Sequence, residues 1–373
     1  GLRHPGGPGY TERAKTTAGC IEAPGTGRAT WYNDFMKPRV LDLFAGGGGS
    51  SWGAFKAGAE IVCGVDAWDL ATKAYRRNFP GARAENLRLE EDTRPAVLGD
   101  LGRIDLLLAS PECTNHTCAR GSRPKDEASR ATARYVINFA QDLKPRWVVV
   151  ENVVHMRSWS GYHPLLNSLH ELGYQSRTVV LDAAAFGVPQ NRRRMFILAD
   201  RERQPDAVLP SAWTRTRTVE EILDPPGTWE STPLRREGRA KATLERAERA
   251  MAALPAGTPF LIVYYGSDSS GGWQPLNRPL RTVTTIDRFG LVTWQRRTPM
   301  LRMLQVPELM RAMGLKGGYS LESIGHRRDR IRLLGNGVAP PVMKAVVKSL
   351  LKNGDSEMAS TESQQRELLH ELV

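Results

Sequence analysis

The stretch from Arg39 to Gly53, RVLDLFAGGGGSSWG, constrains the fold more than any other part of the chain. Its apolar run RVLDLF has the length and bulk of a buried strand, then breaks at four glycines before SSWGAFKAG, which can start a helix. Glycines there let the backbone turn tightly and let a ligand come closer than a side chain would allow. Strand, glycine turn and helix start together predict a cofactor pocket, because the amides and dipole of a helix N-terminus favour a carboxylate or phosphate. On these residues alone the ligand could be NAD, a flavin or a simple phosphate.

The next segments repeat the strand-and-helix alternation. AEIVCGVD reads as a second strand ending at Asp66, followed by the helix DLATKAYRRNF. An acid at that strand end, about twenty residues past the glycines, is placed to bond the ribose hydroxyls of a nucleoside cofactor. IDLLLAS (Ile104–Ser110), RWVVVENV (Arg146–Val153), QSRTVVLDA and RRMFILAD (Arg193–Asp200) read as further strands, with helices ASRATARYVINFAQDL and PLLNSLHELG between them. Such alternation predicts an α/β fold with a mostly parallel sheet flanked by helices and ligands at the C-terminal strand ends. The glycine turn, Ser110 to Cys113, and Glu151 to Asn152 should therefore lie side by side.

Outside this region the composition changes. Residues 1–30 are rich in Gly, Pro, Thr, Ala and Arg without a sustained apolar period, so residues 1–36 are expected to be a mobile tail, as are 353–373. From Arg201 to Arg328 the Arg- and Pro-rich segments predict a second, smaller domain, including a basic helix in PLRREGRAKATLERAERAMAAL and a short strand in FLIVYYG. The segment 329–352 carries GNGVAPPVMKAVVKSLL, a turn followed by an amphipathic helix. A net charge of +12 suits a polyanionic partner, and Arg235, Arg236 and Arg239 are candidate phosphate contacts. No apolar run is long enough to span a membrane and no secretory signal is evident, so a cytoplasmic protein is expected, nucleoid-associated if bacterial.

Cys113 directly follows an apolar strand in LLLASPECTNHT. A thiol there is exposed at the pocket floor, and its thiolate is a strong nucleophile once cations or dipoles lower its pKa. Glu151 ends the neighbouring buried strand, where burial can raise a carboxyl's pKa enough for it to donate a proton. Cys113, His116 and Cys118 are closely spaced, but zinc needs three or four ligands and no second pair lies nearby in sequence, so no metal is expected.

Taken together, the motifs resemble those of the DNA cytosine-5 methyltransferases, in that family's order from Arg39 to about Leu351. DLFAGGGGSSWG is similar to the family's S-adenosylmethionine loop, SPECT (Ser110–Thr114) to its nucleophile motif, and ENV (Glu151–Val153) to its acid motif. QNRRR (Gln190–Arg194), RMLQVPELMRAMG (Arg302–Gly314) and GNGVAPP (Gly335–Pro341) complete the set. The resemblance implies a Rossmann-like S-adenosylmethionine-dependent methyltransferase fold whose second, smaller domain recognises the target. It implies Phe44 against the adenine, Gly46, Gly47, Gly48 and Gly49 beside the methionine carboxylate, and Asp66 with Ala67 at the ribose. Asn86 and Leu87 would meet the adenine, and Asn336 and Val338 would line the pocket from the far end of the chain. Catalysis would rest on Cys113 and Glu151, with Arg194 holding the cytosine O2 and Arg192 supporting the loop or the cysteine.

The implied reaction moves a methyl group from S-adenosylmethionine to carbon 5 of a cytosine flipped out of duplex DNA, leaving S-adenosylhomocysteine. Thr117, Arg120, Arg123 and Lys125 fall on a loop, Thr114 to about Ala133, that would close over the flipped nucleotide. A monomer is expected, with room for a cognate restriction or defence protein. Two departures stand out: Glu112 and Thr114 flank Cys113 where the family has Pro and Gln, and Asn86 replaces an acid. A short specificity segment, about Asp224 to Asn277, argues against long recognition sites. The alternatives are a tRNA cytosine-5 methyltransferase and a DNA-binding homologue impaired in catalysis.

Overall fold

A computed structural model gives the fold over residues 37–111, 127–265 and 271–352, with residues 127–131 placed as backbone alone. The tails, Cys113, His116, Cys118 and the loop residues Thr117, Arg120, Arg123 and Lys125 lie outside the described residues.

Seven strands make the larger sheet: β1 (Arg39–Leu43), β2 (Glu60–Asp66), β3 (Arg83–Asn86), β4 (Leu106–Ala109), β5 (Trp147–Asn152), β6 (Gln175–Asp182) and β7 (Arg193–Asp200). They lie in the order β3-β2-β1-β4-β5-β7-β6. All run parallel except β7, which is antiparallel to both its neighbours. Between them come α1 (Gly49–Lys56), α2 (Asp69–Asn78), α3 (Glu127–Leu143) and α4 (Tyr162–Glu171). β4 and β5 are buried along their whole length, as expected of near-continuous apolar runs in a sheet covered on both faces.

Alternate side chains of these strands enter two different cores. Val40, Leu106, Leu108 and Val149 pack on one face with Val342, Val346 and Leu350 of a helix over 340–352. Leu41, Leu107, Val148 and Val150 pack on the other with Val136 and Phe139 of α3 and Leu165 of α4. β1 is flanked by β2 on one side and β4 on the other, so the winding reverses there and opens a crevice at the strand ends. This is where the glycine loop emerges.

The second sheet is antiparallel, with β8 (Thr232–Pro233), β9 (Phe260–Val263), β10 (Trp273–Pro275), β11 (Phe289–Gln295) and β12 (Thr298–Met303) in the order β10-β9-β11-β12-β8. Helix α5 (Lys241–Ala253) lays Ala247 and Ala250 on Phe260 and Ile262. Helices α6 (Val306–Ala312) and α7 (Arg327–Asn336) lead back to the larger sheet. One expectation is corrected here: Gly335 and Asn336 are the last residues of α7, not a free turn, and the chain leaves the helix only at Gly337.

Candidate active site

A cavity of about 500 Å³ opens at the ends of β1, β2, β4 and β5 and is closed from the far side by α7 and Val338. The four glycines of the loop serve it in different ways. Gly46 lines the cavity with a left-handed φ of 54°, and a Cβ there would meet no atom of the described residues within 4 Å, so its small size leaves room for a ligand. A Cβ on Gly49 would stand 2.4 Å from the Val338 carbonyl oxygen, so this glycine is needed for α1 to touch the C-terminal segment. Gly47 accepts a 2.7 Å hydrogen bond from the buried Tyr319 hydroxyl, and Gly48 caps α1 in the left-handed region with no side-chain partner. Phe44, at the cavity wall, also has a positive φ of 55°, a strained conformation for an aromatic residue.

Asp66 lines the cavity, and its carboxylate accepts from the Gly46 amide and the Trp68 amide, each at 2.8 Å. It therefore fixes the loop while keeping acceptor capacity for a hydroxyl. Ala67, Leu87, Asn336 and Val338 also face the cavity. Asn86 does not: it is exposed, and its amide donates to the Asp66 carbonyl at 3.2 Å and the Thr72 hydroxyl at 3.4 Å. Leu87, the next residue, lines the cavity. This set fits an adenosyl cofactor: an apolar wall for a base, an acid at sugar distance from the loop, and a glycine cradle at a helix start.

Across the same cavity stand Ser110, Pro111, Glu151 and Arg194. Glu151 is 5% exposed, and Arg194 Nε lies 3.1 Å from its Oε1. Burial pushes the Glu151 carboxyl up from its ordinary value, opposed by Arg194, then Arg192, then the Ser110 hydroxyl bond. Desolvation wins, so the acid holds its proton to higher pH than an ordinary glutamate. Asn152 donates to the Pro111 carbonyl at 3.2 Å and thus anchors the root of the segment that carries Cys113.

Arg192 does not line the cavity. Its guanidinium is buried and donates to the carbonyls of Val283 at 3.0 Å and of Gly335 and Gly337 at 2.7 Å each. It is a positioning residue that ties β7 to the segment bearing Asn336 and Val338. Gln190 works beside it, accepting from the Val283 amide at 3.0 Å and donating to the Ala312 carbonyl at 3.0 Å. The QNRRR motif thus divides its labour: Gln190 and Arg192 join segments, and Arg194 faces the cavity.

Residues 38–352 match the family model described as C-5 cytosine-specific DNA methylase. The chain belongs to this family. Among its relatives, Type II methyltransferase M.HgiDI of Herpetosiphon aurantiacus is 34% identical over 166 residues, 44% of this chain and 52% of the relative. DNA (cytosine-5)-methyltransferase 1 of Mus musculus is 31% identical over 180 residues, 44% of this chain and 11% of the relative. The chain thus spans at most about half the length of these curated relatives. A crystal structure of Spodoptera frugiperda DNMT2 shares the fold with a TM-score of 0.62 at 18% identity, covering 84% of this chain and 100% of that one.

The cavity has lining residues that the sequence does not single out. Trp68 and Arg332 both line the cavity, with the guanidinium carbon 4.7 Å from the ring centroid. Ser50 and Ser110 line it too, with hydroxyls 3.3 Å apart. Trp68 lies two residues beyond Asp66 and was within reach of the sequence pattern; Arg332, on α7, was not, because its helix was not anticipated. Of the candidate phosphate contacts, Arg235 and Arg236 are exposed, the former 3.3 Å from Glu248. Arg239 is engaged by Leu234, Thr232 and Pro233 at its own turn. No cluster of His, Cys, Asp or Glu suited to a metal occurs among the described residues, and none of their helices is long and apolar enough to cross a membrane.

Proposed function

We propose that the chain methylates carbon 5 of a cytosine flipped out of duplex DNA, with S-adenosylmethionine as donor and Cys113 as nucleophile. The observation that carries this reading is that the glycine loop and the Glu151–Arg194 pair open into one cavity. Cytosine carbon 5 is a poor nucleophile, and activation comes from attack of the Cys113 thiolate on carbon 6. As the sulfur–carbon bond forms, electron density moves to carbon 5, and Glu151 donates its proton or a hydrogen bond to ring nitrogen N3. Arg194 donates to the cytosine O2 while holding Glu151 in place. S-adenosylmethionine, held by Gly46, Asp66, Ala67, Leu87, Asn336 and Val338, supplies an electrophilic methyl group. Carbon 5 would take this methyl group as its bond to the donor sulfur breaks; loss of the carbon 5 proton to water, return of the N3 proton to Glu151 and breakage of the bond between Cys113 sulfur and carbon 6 then restore the aromatic ring and free Cys113.

In this proposal residues 37–200 form the catalytic domain, 201–328 the target-recognition domain, and 329–352 a segment returning to the former. Thr117, Arg120, Arg123 and Lys125 contact the DNA beside the flipped base, and Arg235 and Arg236 contact phosphates of the duplex. Relatives named Type II methyltransferases support a place beside a restriction endonuclease. The test is an assay of labelled methyl transfer to a DNA duplex and to a tRNA transcript, with trapping by 5-fluorocytosine duplex. Transfer to the duplex and an adduct at Cys113 are expected. Transfer to the transcript alone would establish an RNA substrate, and cofactor binding without an adduct would establish the impaired homologue.

A further inference from the structure

Two serines stand where the halves of the cavity meet, and the proposed chemistry gives neither a role. Ser50, 3% exposed, lies in the first turn of α1 directly after the glycine loop, and Ser110 follows β4 directly before Pro111. Both line the cavity, with their hydroxyl oxygens 3.3 Å apart. The Ser110 amide donates to the Leu43 carbonyl at 3.1 Å, and the carbonyl of Pro111 is held by Asn152 at 3.2 Å. The serine's backbone is therefore fixed between β1 and β5. From there its hydroxyl reaches the Glu151 carboxyl. A chain of three groups thus runs from the acid to the helix that starts at the glycine loop.

Each hydroxyl has one proton to give and lone pairs with which to receive. When Glu151 is ionised, Ser110 donates to the carboxylate, the stronger of its two choices, and Ser50 donates to Ser110. When Glu151 holds its proton that preference is gone, and Ser110 can turn to donate to Ser50. Arg194, 3.1 Å from Oε1, cannot follow the proton in this way, because its charge is permanent. A separation of 3.3 Å is long for a bond between hydroxyls, which leaves it room to tighten as charge develops. Among the described residues the charges acting on Glu151 are Arg194 and Arg192 of β7. The cavity wall also carries Thr132 of α3, Asp66 of β2 and Arg332 of α7.

Resting on the methyl-transfer reading of this cavity, we propose that Ser110, backed by Ser50, is a positioning residue that turns its hydroxyl toward Glu151 as the acid gives its proton to cytosine N3. No proton leaves either serine: the hydroxyls rotate, and the O–H bond of Glu151 breaks as the N3–H bond forms. The hydrogen bond to Glu151 is stronger after its proton has left than before. It therefore favours the transition state over bound substrate and acts on kcat more than on KM. Ser50 acts through Ser110, and its hydroxyl belongs to the helix beside the glycine loop, so the acid is tied to the cofactor side of the cavity as well as to β7.

The experiment compares the full chain with Ser110→Ala, Ser110→Thr, Ser50→Ala and the double variant Ser50→Ala with Ser110→Ala. Two things are measured: steady-state methyl transfer from S-adenosylmethionine to a DNA duplex of mixed sequence, and the titration midpoint of the Glu151 carboxyl carbon by ¹³C NMR in the ligand-free protein. Ser110→Ala is expected to raise that midpoint by about one unit and to lower kcat roughly tenfold, with KM for donor and duplex nearly unchanged. The alkaline limb of its pH–rate profile should move up by the same amount. Ser110→Thr keeps the hydroxyl and should recover most of the rate and the original midpoint. Ser50→Ala should lose about two- to threefold in kcat, and the double variant no more than Ser110→Ala alone, because the two hydroxyls act as one unit. An unmoved midpoint or an unchanged kcat in Ser110→Ala would overturn the proposal, as would losses that multiply in the double variant. A wild-type chain that transfers no methyl group to DNA or RNA would instead overturn the methyl-transfer reading, and the Glu151 midpoint would still show whether Ser110 holds the acid.

Discussion

Arg192→Lys separates a positioning role from a catalytic one. The guanidinium donates to three carbonyls on two segments, Val283 on one and Gly335 and Gly337 on the other. A lysine ammonium keeps the charge but has no planar fork to serve both segments. Each charge-assisted bond is worth about 1.5–3 kcal/mol, and a buried carbonyl left unsatisfied costs about 1–3 kcal/mol. If lysine retains one bond and leaves two carbonyls unsatisfied, the expected destabilisation is about 2–6 kcal/mol, roughly 4–24 °C in Tm for a large domain. Asn336 and Val338 lie on the released segment and line the cavity, so donor affinity should fall as well. Because the charge persists, the influence of residue 192 on Glu151 is retained and the pH–rate profile should not move. Calorimetric melting, S-adenosylmethionine titration and a pH–rate series check these outcomes. Unchanged melting and affinity with lost turnover would refute the positioning argument and place Arg192 in the chemistry.

Further outcomes follow from the same geometry. Gly49→Ala gains helix propensity of about 1 kcal/mol but drives its Cβ against the Val338 backbone, so a net loss of about 1–3 kcal/mol is expected in thermal unfolding. Gly46→Ala meets no atom of the described residues within 4 Å; it should cost about 1–2 kcal/mol from its left-handed backbone and weaken donor binding more than Gly49→Ala does relative to stability lost. Glu151, whose carboxyl is raised by burial, stabilises the fold most at low pH, and that contribution is lost as pH rises from the ordinary value of 4.5 through the raised one. Its neutral form should set an alkaline limb of the rate profile, and Glu151→Gln should remove that limb along with about two or more orders of magnitude in rate. Arg235→Ala with Arg236→Ala should weaken duplex binding about equally across sequences and reduce the slope of log affinity against log salt by roughly 2.

The parts of this fold most legible in the sequence are those where burial is continuous. β1, β4 and β5 read directly as apolar runs, and their ends meet because βα alternation leaves few ways to order them. The direction of β7 was not read, although the 183–192 connection after β6 is too short for a crossover and forces an antiparallel return. The second sheet was largely missed because β8, β10 and β12 are short and only partly buried, which gives no clear period. Asn86 stands exposed while Leu87 lines the cavity, because one residue along a strand moves a side chain from one face to the other. The carbonyl targets of Arg192 were unreadable, since a backbone oxygen far along the chain has no signature in residue type. Helix α7 was hidden by its arginines, which give RRDRIRLLGN a strongly polar average even though Ile331, Leu333 and Leu334 are buried.

Tyr319 on Gly47 and Val338 on Gly49 have a consequence for the order of events during synthesis. A ribosome delivers the glycine loop long before the residues that brace it, since Tyr319 follows Gly47 by 272 positions. Until then the nascent chain can build much of the parallel sheet, but its crevice lacks a far wall, and the exposed faces of β1 and β4 await the helix over 340–352. Under the proposed reading, donor capture is thereby deferred until translation has passed residues 201–328, the proposed target-recognition domain. An arrested or truncated product ending within the second sheet would lack the far wall of this cavity, which α7 and Val338 supply.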